Sequence, residues 1–276
     1  QNKGYRLASE PNEFNHELLI AWLLRLNENC KIFAYKSIDS TNSEAERLLA
    51  SGESGPFAIV ADKQDIGRGR MGKNWHSPPN NGNLYLSIAF RPNIDAIKLR
   101  MFTLWQGICI CDYLRSYTKN NEILLKWPND IVINGKKLGG MLTEASIDFE
   151  NIRYLIFGFG LNINSKITNY PQSIRKIATS LFEVKKEKHR IHEITANIIK
   201  IILLSYEECC KGVNQNKITN NWNKLDALRN KKISLSVGKE TIRGTAMGIN
   251  NTGGLKIKLS RGELKTFHSG EVLSFN

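Results

Sequence analysis

The chain has 276 residues, of which 41% are hydrophobic and 24% charged, and 39 Lys and Arg against 26 Asp and Glu give it a formal net charge of +13. This is the composition of a globular protein of roughly two domains, and it excludes a disordered chain. No apolar run reaches the length of about 18 residues that crosses a bilayer, and residues 1–17 lack the apolar segment of a signal peptide, so we expect a cytoplasmic protein without a membrane partner.

Hydrophobic periodicity predicts alternating helices and strands up to residue 228. Apolar residues at helical spacing predict helices over 14–26, 44–50, 98–118, 193–210 and 219–228. Alternating or continuous apolar runs predict strands over 31–37, 58–62, 84–91, 123–127, 130–133, 136–144 and 152–164. A glycine-rich loop occupies 65–83, and Asn134-Gly135 is a hairpin turn between two of the strands.

The pattern changes near Arg229. Five short runs separated by turn residues predict a small antiparallel barrel with strands over 232–237, 241–249, 255–259, 265–268 and 272–275. We therefore divide the chain into an N-terminal segment with one helix (1–37), a central domain (38–228) and a C-terminal barrel (229–276).

The excess of basic charge admits two interpretations. No run of Lys and Arg reaches five residues, and the densest segment, 185–190, contains Glu187 and His189. We therefore expect diffuse charge rather than a dedicated nucleic-acid surface, and a nucleic-acid-binding module stays open as the alternative.

Cysteine and histidine spacing predicts neither a disulfide scaffold nor a metal held by protein ligands. The cysteines lack paired Cys-x-x-Cys motifs and are expected to be reduced thiols: Cys30, Cys109, Cys111, Cys209 and Cys210. The spacing His189-x-x-His192 could place two imidazoles on one helix face, but a solvated basic segment is the better interpretation.

The segment 67–73, with the sequence GRGRMGK, has the chemistry of a binding loop. Its glycines let the backbone approach an anion closely, and Arg68 and Arg70 supply planar, always-charged groups for phosphate or carboxylate. The segment matches neither a Walker loop nor a dinucleotide fingerprint. Taken alone it predicts phosphate binding, with an RNA-contacting or merely flexible loop as open alternatives.

Other segments extend this pattern in a fixed order: STN at 40–42, WHSP at 75–78, GNLYLS at 82–87, KWPND at 126–130, KLGGMLTE at 137–144, GFGLNIN at 158–164 and ATSL at 178–181. Together with the 67–73 loop, the series resembles the biotin protein ligases, which attach biotin to carrier proteins. The resemblance runs from about residue 38 to the C-terminus. It implies an α+β fold with a mixed sheet flanked by helices, as in class II aminoacyl-tRNA synthetases and biotin ligases, and a C-terminal SH3-like β-barrel. Lipoate ligases share the fold without this combination of motifs and are the near alternative.

The resemblance implies an ATP-dependent ligase with two half-reactions at one site. The carboxylate of biotin attacks the α-phosphate of ATP and gives biotinyl-5′-AMP and pyrophosphate. A lysine amine of the biotin carboxyl carrier protein of acetyl-CoA carboxylase then attacks this anhydride and releases AMP. Carboxylate and polyphosphate repel each other, so the site needs fixed positive charge. Mg²⁺ is expected to arrive with ATP rather than in a protein cage.

The resemblance assigns the catalytic roles to Lys126, Arg68 and Asp130. Lys126 would bridge the biotin carboxylate and the α-phosphate. Arg68, Gly69 and Arg70 would form a lid that clamps biotin and the adenylate and keeps water out. Asp130 would orient the incoming lysine or accept its proton, and a role in fixing a turn stays open.

The remaining implied contacts concern the head group of biotin. Ser40, Thr41, Asn42 and Gln64 match positions that hydrogen-bond the ureido group in this family. A second interpretation also stands, because Thr41 followed three residues later by Glu44 is a capping box that opens a helix.

Aromatic and glycine positions complete the implied site. Trp75 would pack on adenine, with a buried tryptophan at a strand edge as the alternative. Gly140, Gly158 and Gly160 would let the sheet backbone lie close under the apolar chain of biotin. Asn162 would help to hold ATP, although Asn-x-Asn at a strand end is also a common turn feature.

The N-terminal residues 3–7, KGYRL, resemble the closing strand of the winged-helix DNA-binding domain of bifunctional ligase-repressors. The sequence does not begin with Met, so we expect a bifunctional member that lacks most of this domain here, with DNA as a partner only where the domain is present. Family members of this type pair through sheet edges, which predicts a homodimer.

Overall fold

Two sheets organise the chain. The computed structural model describes residue 11 and residues 14–78, 82–92, 101–148 and 151–275, so the 3–7 segment lies outside the described residues. The helices within these ranges are α1 (His16–Arg25), α2 (Thr41–Ala50), α3 (Phe102–Thr118), α4 (Gln172–Arg175), α5 (Leu181–Lys185), α6 (Ile191–Lys211) and α7 (Gln215–Leu225). No helix in the described part of the chain is long and apolar enough to cross a membrane.

The larger sheet has the strand order β1-β2-β3-β7-β6-β5-β4. Its strands are β1 (Lys31–Tyr35), β2 (Phe57–Ala61), β3 (Leu84–Phe90), β4 (Ile123–Lys126), β5 (Asp130–Ile133), β6 (Lys136–Asp148) and β7 (Asn151–Leu161). The β1–β2 pair is parallel and every other neighbouring pair is antiparallel. The mixed sheet flanked by helices that the sequence predicts is therefore confirmed.

Helices cover the two faces of this sheet unequally. On one face α1, α3 and α6 pack over a large apolar core, whose members include Trp105, Leu114 and Ile198. On the other face α2 covers β2, β3 and part of β7 through a small cluster that includes Ala45 and Leu49. Because α2 is only ten residues long, the glycine-rich parts of β6 and β7 are left for side chains and loops to cover.

The smaller sheet is C-terminal, antiparallel and five-stranded, in the order β11-β10-β9-β8-β12. Its strands are β8 (Lys232–Val237), β9 (Glu240–Ile249), β10 (Leu255–Lys258), β11 (Leu264–Phe267) and β12 (Glu271–Phe275). They agree with the five predicted strands to within about one residue at each end. The indole Nε1 of Trp127 donates to the Gly253 carbonyl at 3.0 Å and ties this sheet to the end of β4.

Some predicted element bounds are wrong for local reasons. Helix α7 begins at Gln215 rather than at residue 219, because the Asn214 side chain accepts hydrogen bonds from the backbone N–H groups of Asn216 and Lys217. Strand β6 continues to Asp148 because it pairs with β7 well beyond the glycines. The short helices α4 and α5 are absent from the prediction, since four or five residues carry no helical period.

Candidate active site

A cavity of about 640 Å³ opens over the centre of the larger sheet. Its walls come from the start of α2, the 64–76 loop, the glycine segments of β6 and β7, the end of β4 and strand β12. Every predicted site residue lines it: Ser40, Thr41, Asn42, Gln64, Arg68, Gly69, Arg70, Trp75, Lys126, Asp130, Gly140, Gly158, Gly160 and Asn162. Predicted site residues that are up to 122 positions apart in sequence, such as Ser40 and Asn162, therefore share one cavity.

A polar network forms the inner end of the cavity at the start of α2. The Thr41 hydroxyl and backbone N–H both donate to Gln64 Oε1, at 3.1 and 2.9 Å. The Ser87 hydroxyl donates to Asn42 Oδ1 at 2.5 Å and lies 2.7 Å from Thr41 Oγ1. Gln64 Nε2 in turn donates to Ser77 Oγ at 3.0 Å. This connected set of amide and hydroxyl groups is suited to a small ligand with both donors and acceptors.

The capping-box interpretation of this segment is wrong. Thr41 is the first residue of α2, and the residue before it, Ser40, makes no side-chain capping bond. The Thr41 hydroxyl turns to Gln64 instead, and Glu44 accepts from Tyr35 and Arg47. The Thr41 hydroxyl is therefore hydrogen-bonded in the wall of the cavity rather than at the N-terminus of the helix.

The segment 68–73, which we call the lid after its predicted role, is held by side chains near both of its ends. Arg68 pairs with Glu144 of β6 and also donates to Ser43 Oγ at 3.3 Å. Arg70 donates to Asn129 Oδ1 at 3.4 Å, and Lys73 pairs with Glu271 of β12. The lid thus contacts both the larger sheet and the C-terminal sheet.

Glycines in β6 and β7 make room for protein side chains. A Cβ atom at Gly158 would overlap Asn42 Oδ1, and one at Gly160 would lie 2.5 Å from the Trp75 ring. The Trp75 ring thus lies against the β7 backbone, with Lys137 Nζ 5.1 Å from its ring centre. The Trp75 indole N–H is buried without a hydrogen-bond partner among the described residues. Both glycines are required by close packing in the wall of the cavity.

Lys126 lies at the end of β4 with its ammonium inside the cavity. Its Nζ donates to the Val272 carbonyl of β12 at 3.0 Å and lies 5.5 Å from the Phe275 ring centre. Burial lowers the pKa of Lys126, an effect that the nearby Asp130 carboxylate partly opposes. Asp130 faces it across the β4–β5 pair and forms an ion pair with Lys137 at 2.7 Å.

The cavity is therefore rich in fixed positive charge. Burial also lowers the pKa of Arg70, against the fields of Asp130 and Glu271. Arg70 and Lys126 are thus cations held away from full solvation, and an anion that entered between them would recover the lost solvation. This arrangement fits carboxylate and phosphate groups.

The side-chain amide of Asn162 is hydrogen-bonded within the wall of the cavity. Its Nδ2 donates to the Thr179 carbonyl at 2.9 Å, and its Oδ1 accepts from the Tyr170 hydroxyl at 3.2 Å. Both ends of the amide are therefore used inside the protein, and a direct contact of Asn162 with a nucleotide stays a prediction.

Sequence reasoning missed several residues that hold the site together. Ser87 and Glu144 lie within the quoted motifs but carried no assigned role, and Glu271 and Val272 of β12 were read only as barrel strand. The sequence does carry a signal for Ser87, since a serine interrupts the apolar run of β3, and the structure buries it completely. The β12 contacts had no local signal, because they depend on how the two sheets meet.

Comparisons with known proteins agree with this geometry. The sequence matches the Biotin/lipoate A/B protein ligase family over residues 34–162 and the Biotin protein ligase C terminal domain over residues 230–273. The bifunctional ligase/repressor BirA of Bacillus spizizenii is 31% identical over 281 aligned positions, which cover 99% of this chain and 82% of that protein. The chain belongs to the biotin protein ligase family.

Two further relatives agree on a biotin ligase enzyme. The biotin--[acetyl-CoA-carboxylase] ligase of Paracoccus denitrificans is 33% identical over 45% of this chain and 51% of its own length. The biotin protein ligase of Aquifex aeolicus, solved in complex with biotin and ATP, has a TM-score of 0.74 at 28% identity and covers 89% of this chain and 98% of its own. The α+β fold with its C-terminal five-stranded sheet is thus that of a biotin ligase.

Proposed function

We propose that this biotin ligase activates biotin with ATP as biotinyl-5′-AMP and transfers it to a lysine of the biotin carboxyl carrier protein of acetyl-CoA carboxylase. One observation carries the proposal: a partly desolvated ammonium, that of Lys126, lies in a cavity with an amide and hydroxyl pocket at its inner end. The P. denitrificans relative is named as a ligase that acts on acetyl-CoA carboxylase, and the A. aeolicus relative was solved in complex with biotin and ATP.

In the first half-reaction, a carboxylate oxygen of biotin forms a bond to the α-phosphorus while the bond to pyrophosphate breaks. The polar pocket of Thr41, Asn42 and Gln64 would hold the ureido head, so that the carboxylate of biotin extends toward Lys126. Lys126 would release the Val272 carbonyl and stabilise the negative charge that gathers between carboxylate and phosphate. Arg70, also partly desolvated, would add a second cation from the lid.

In the second half-reaction, the carrier amine attacks the carbonyl carbon of the anhydride, and the bond to AMP breaks. The amine loses a proton in this step. Asp130, with its partner Lys137, would orient the amine and take up that proton.

Asp130, the carboxylate that faces Lys126 in the cavity, is already paired with Lys137. We propose that Mg²⁺ enters bound to ATP, whose phosphate oxygens are the hard ligands it prefers.

The remaining proposals concern setting and partners. We propose the cytoplasm as the compartment, supported by five cysteines that are all free thiols. A homodimer, expected from the family resemblance, is supported by the edge position of β1 in the larger sheet, and sedimentation with biotin and ATP tests it. A DNA-binding role is supported only by relatives named ligase/repressor.

Biotin-dependent exchange of pyrophosphate into ATP tests the proposed activity directly. We expect exchange with biotin and none with lipoate, and we expect biotin with MgATP to raise the melting temperature strongly, since the adenylate binds only the folded chain. Exchange with lipoate instead of biotin would assign a lipoate ligase. Stabilisation by oligonucleotides alone would favour the nucleic-acid module.

A further inference from the structure

Glu144 lies just outside the cavity on strand β6. Thr143 faces the helix-covered side of the sheet, where its hydroxyl lies 2.7 Å from that of Thr103 in α3. Since strand side chains alternate, Glu144 shares the opposite face with Gly140 and Leu142. Gly140 and Leu142 are among the described residues that line the cavity, and Glu144 is not.

The two carboxylate oxygens of Glu144 contact different parts of the site. Oε2 accepts a hydrogen bond from Asn42 Nδ2 at 2.7 Å, and Oε1 accepts from the Arg68 guanidinium. Asn42 belongs to the polar pocket, whereas Arg68 belongs to the lid, and the three residues are far apart in sequence. One carboxylate thus joins the inner end of the cavity to its cover.

The orientation of Asn42 follows from this contact. Its Oδ1 accepts from Ser87, so its Nδ2 must point the other way and needs an acceptor. Glu144 supplies that acceptor. Asn42 also lies against Gly158, so its side chain has little room to turn.

We propose that Glu144 is a positioning residue that couples the polar pocket to lid closure. It holds Asn42 in the orientation for the ligand head group and, with its other oxygen, holds Arg68 over the cavity. The inference rests on the proposed function, in which Asn42 contacts biotin and Arg68 clamps the adenylate. Its consequence is that a change that frees Asn42 in the pocket also loosens Arg68 over the cavity, and the reverse.

Glu144→Gln tests the proposal because glutamine has the same shape but only one acceptor oxygen. It can accept from Asn42 or from Arg68, and its amide N–H groups then face the other donor. We expect biotinyl-5′-AMP to leave the variant about fivefold faster than the parent, since a partly exposed ion pair is lost. KM for biotin should rise while kcat for pyrophosphate exchange changes less.

Glu46→Gln is the matched control. Glu46 lies on α2 and accepts a hydrogen bond from Tyr154 at 2.9 Å, so the variant also neutralises a hydrogen-bonded carboxylate on this side of the sheet. It should retain the adenylate as the parent does. If Glu46→Gln accelerates release equally, the effect is one of net charge and the proposal fails.

A double-mutant cycle with Arg68→Met separates positioning from simple stability. If Glu144 acts through Arg68, the two changes together should accelerate release by less than the product of their separate effects. Independent effects, or parental retention in Glu144→Gln, would overturn the inference while leaving biotin-dependent exchange intact. Absence of exchange in the parent would instead refute the proposed function.

Discussion

The contacts of Lys126 in the unliganded site are compatible with the role that we propose for it in the reaction. Its ammonium donates to the Val272 carbonyl and lies near two further cations, Lys137 and Lys73. A carbonyl dipole is a weak partner for an ammonium compared with a carboxylate or phosphate. The lysine is therefore ready to exchange this contact for an anionic substrate.

Lys126→Met should lower the rate of biotin-dependent pyrophosphate exchange at least about a hundredfold. The methionine keeps the apolar stem and removes the charge, so we expect near-parental melting of the unliganded protein and a smaller loss of biotin affinity. Lys31→Met is the control. Lys31 lies on edge strand β1 and forms an exposed ion pair with Glu53, so this variant should exchange pyrophosphate at the parental rate. Near-parental exchange by Lys126→Met would remove this residue from the reaction.

The residues of the site could be predicted because their chemical types are unusual where they stand. Arginines between glycines and a lysine before Trp127-Pro128 are visible without any structure. Glu144 could not be assigned in the same way, since a glutamate at the polar end of a strand usually faces water. Its role depends on Asn42, 102 residues away, which no local pattern connects to it.

At the scale of elements, β7 shapes the two halves of the site separately. Gly158 lies under Asn42 and Gly160 under Trp75, two residues farther along the same strand face. One strand thus supports the pocket for the head group and the aromatic wall with two different glycines.

Alanine at each glycine should therefore impair different ligands. Gly158→Ala should displace Asn42 and weaken biotin binding by at least about tenfold, because a side chain in a close-packed wall cannot absorb a new methyl group without moving. Gly160→Ala should displace the Trp75 ring and raise KM for ATP more than KM for biotin. Calorimetry and exchange kinetics on both variants check this, and equal effects on both ligands would contradict it.

The segment between α7 and β8 contains a buried carboxyl group, that of Asp226, whose surroundings disfavour its ionised form. Asp226 accepts from the Leu228 N–H through Oδ1, while Oδ2 is buried without a partner among the described residues. Burial raises the pKa of Asp226 to about 6, compared with about 3.9 in an unfolded chain. The folded state binds this proton more tightly than the unfolded chain does. The contribution of the protonated carboxyl to the free energy of unfolding is therefore fully present below about pH 4 and is lost as the pH rises through about 6.

Asp226→Asn should remove this pH dependence. The amide keeps the Oδ1 acceptor and cannot ionise, so the free energy of unfolding at pH 7.5 should exceed that of the parent by up to about 2 kcal/mol, with no gain near pH 4. Urea unfolding at both pH values measures the difference. A gain at Asp226 that is independent of pH would refute the explanation.

Most elements could be predicted because their patterns are local. The continuous apolar runs of β2 and β3 and the hairpin at Asn134-Gly135 appear in the sequence as they do in the structure. The predicted start of α2 at residue 44 is wrong, because the helix begins at Thr41. The Thr41 hydroxyl donates to the distant Gln64 rather than capping the helix. Local patterns carry no information about such a partner.

At the scale of the whole molecule, the C-terminal sheet forms part of the wall of the candidate site. Strand β12 contributes Val272 and Phe275 beside Lys126, and its Glu271 pairs with Lys73 of the lid. The smaller sheet therefore contacts both Lys126 and the 68–73 loop, and we propose that it helps to hold this loop over the cavity.

A charge exchange across this contact tests its role. Lys73→Glu alone should repel Glu271 and let biotinyl-5′-AMP escape up to about fivefold faster, a modest factor because the pair is exposed. Adding Glu271→Lys should restore retention, and high salt should reduce the difference between the variants. A double variant that loses the adenylate as fast as the single one would show that the pair does not hold the lid.

The contacts that complete the site also join parts of the chain that are synthesised far apart in time. Asn42 and Glu144 are separated by 102 residues, Lys126 and Val272 by 146, and Lys73 and Glu271 by 198. Contacts between distant parts of a chain form late, since the loops between them must close first. On the ribosome, β12 emerges after the other described elements that form the cavity, and the cavity has no finished wall before it does. We therefore expect a growing chain that still lacks β12 not to retain the proposed biotinyl-5′-AMP, and activity to begin only after β12 has been synthesised.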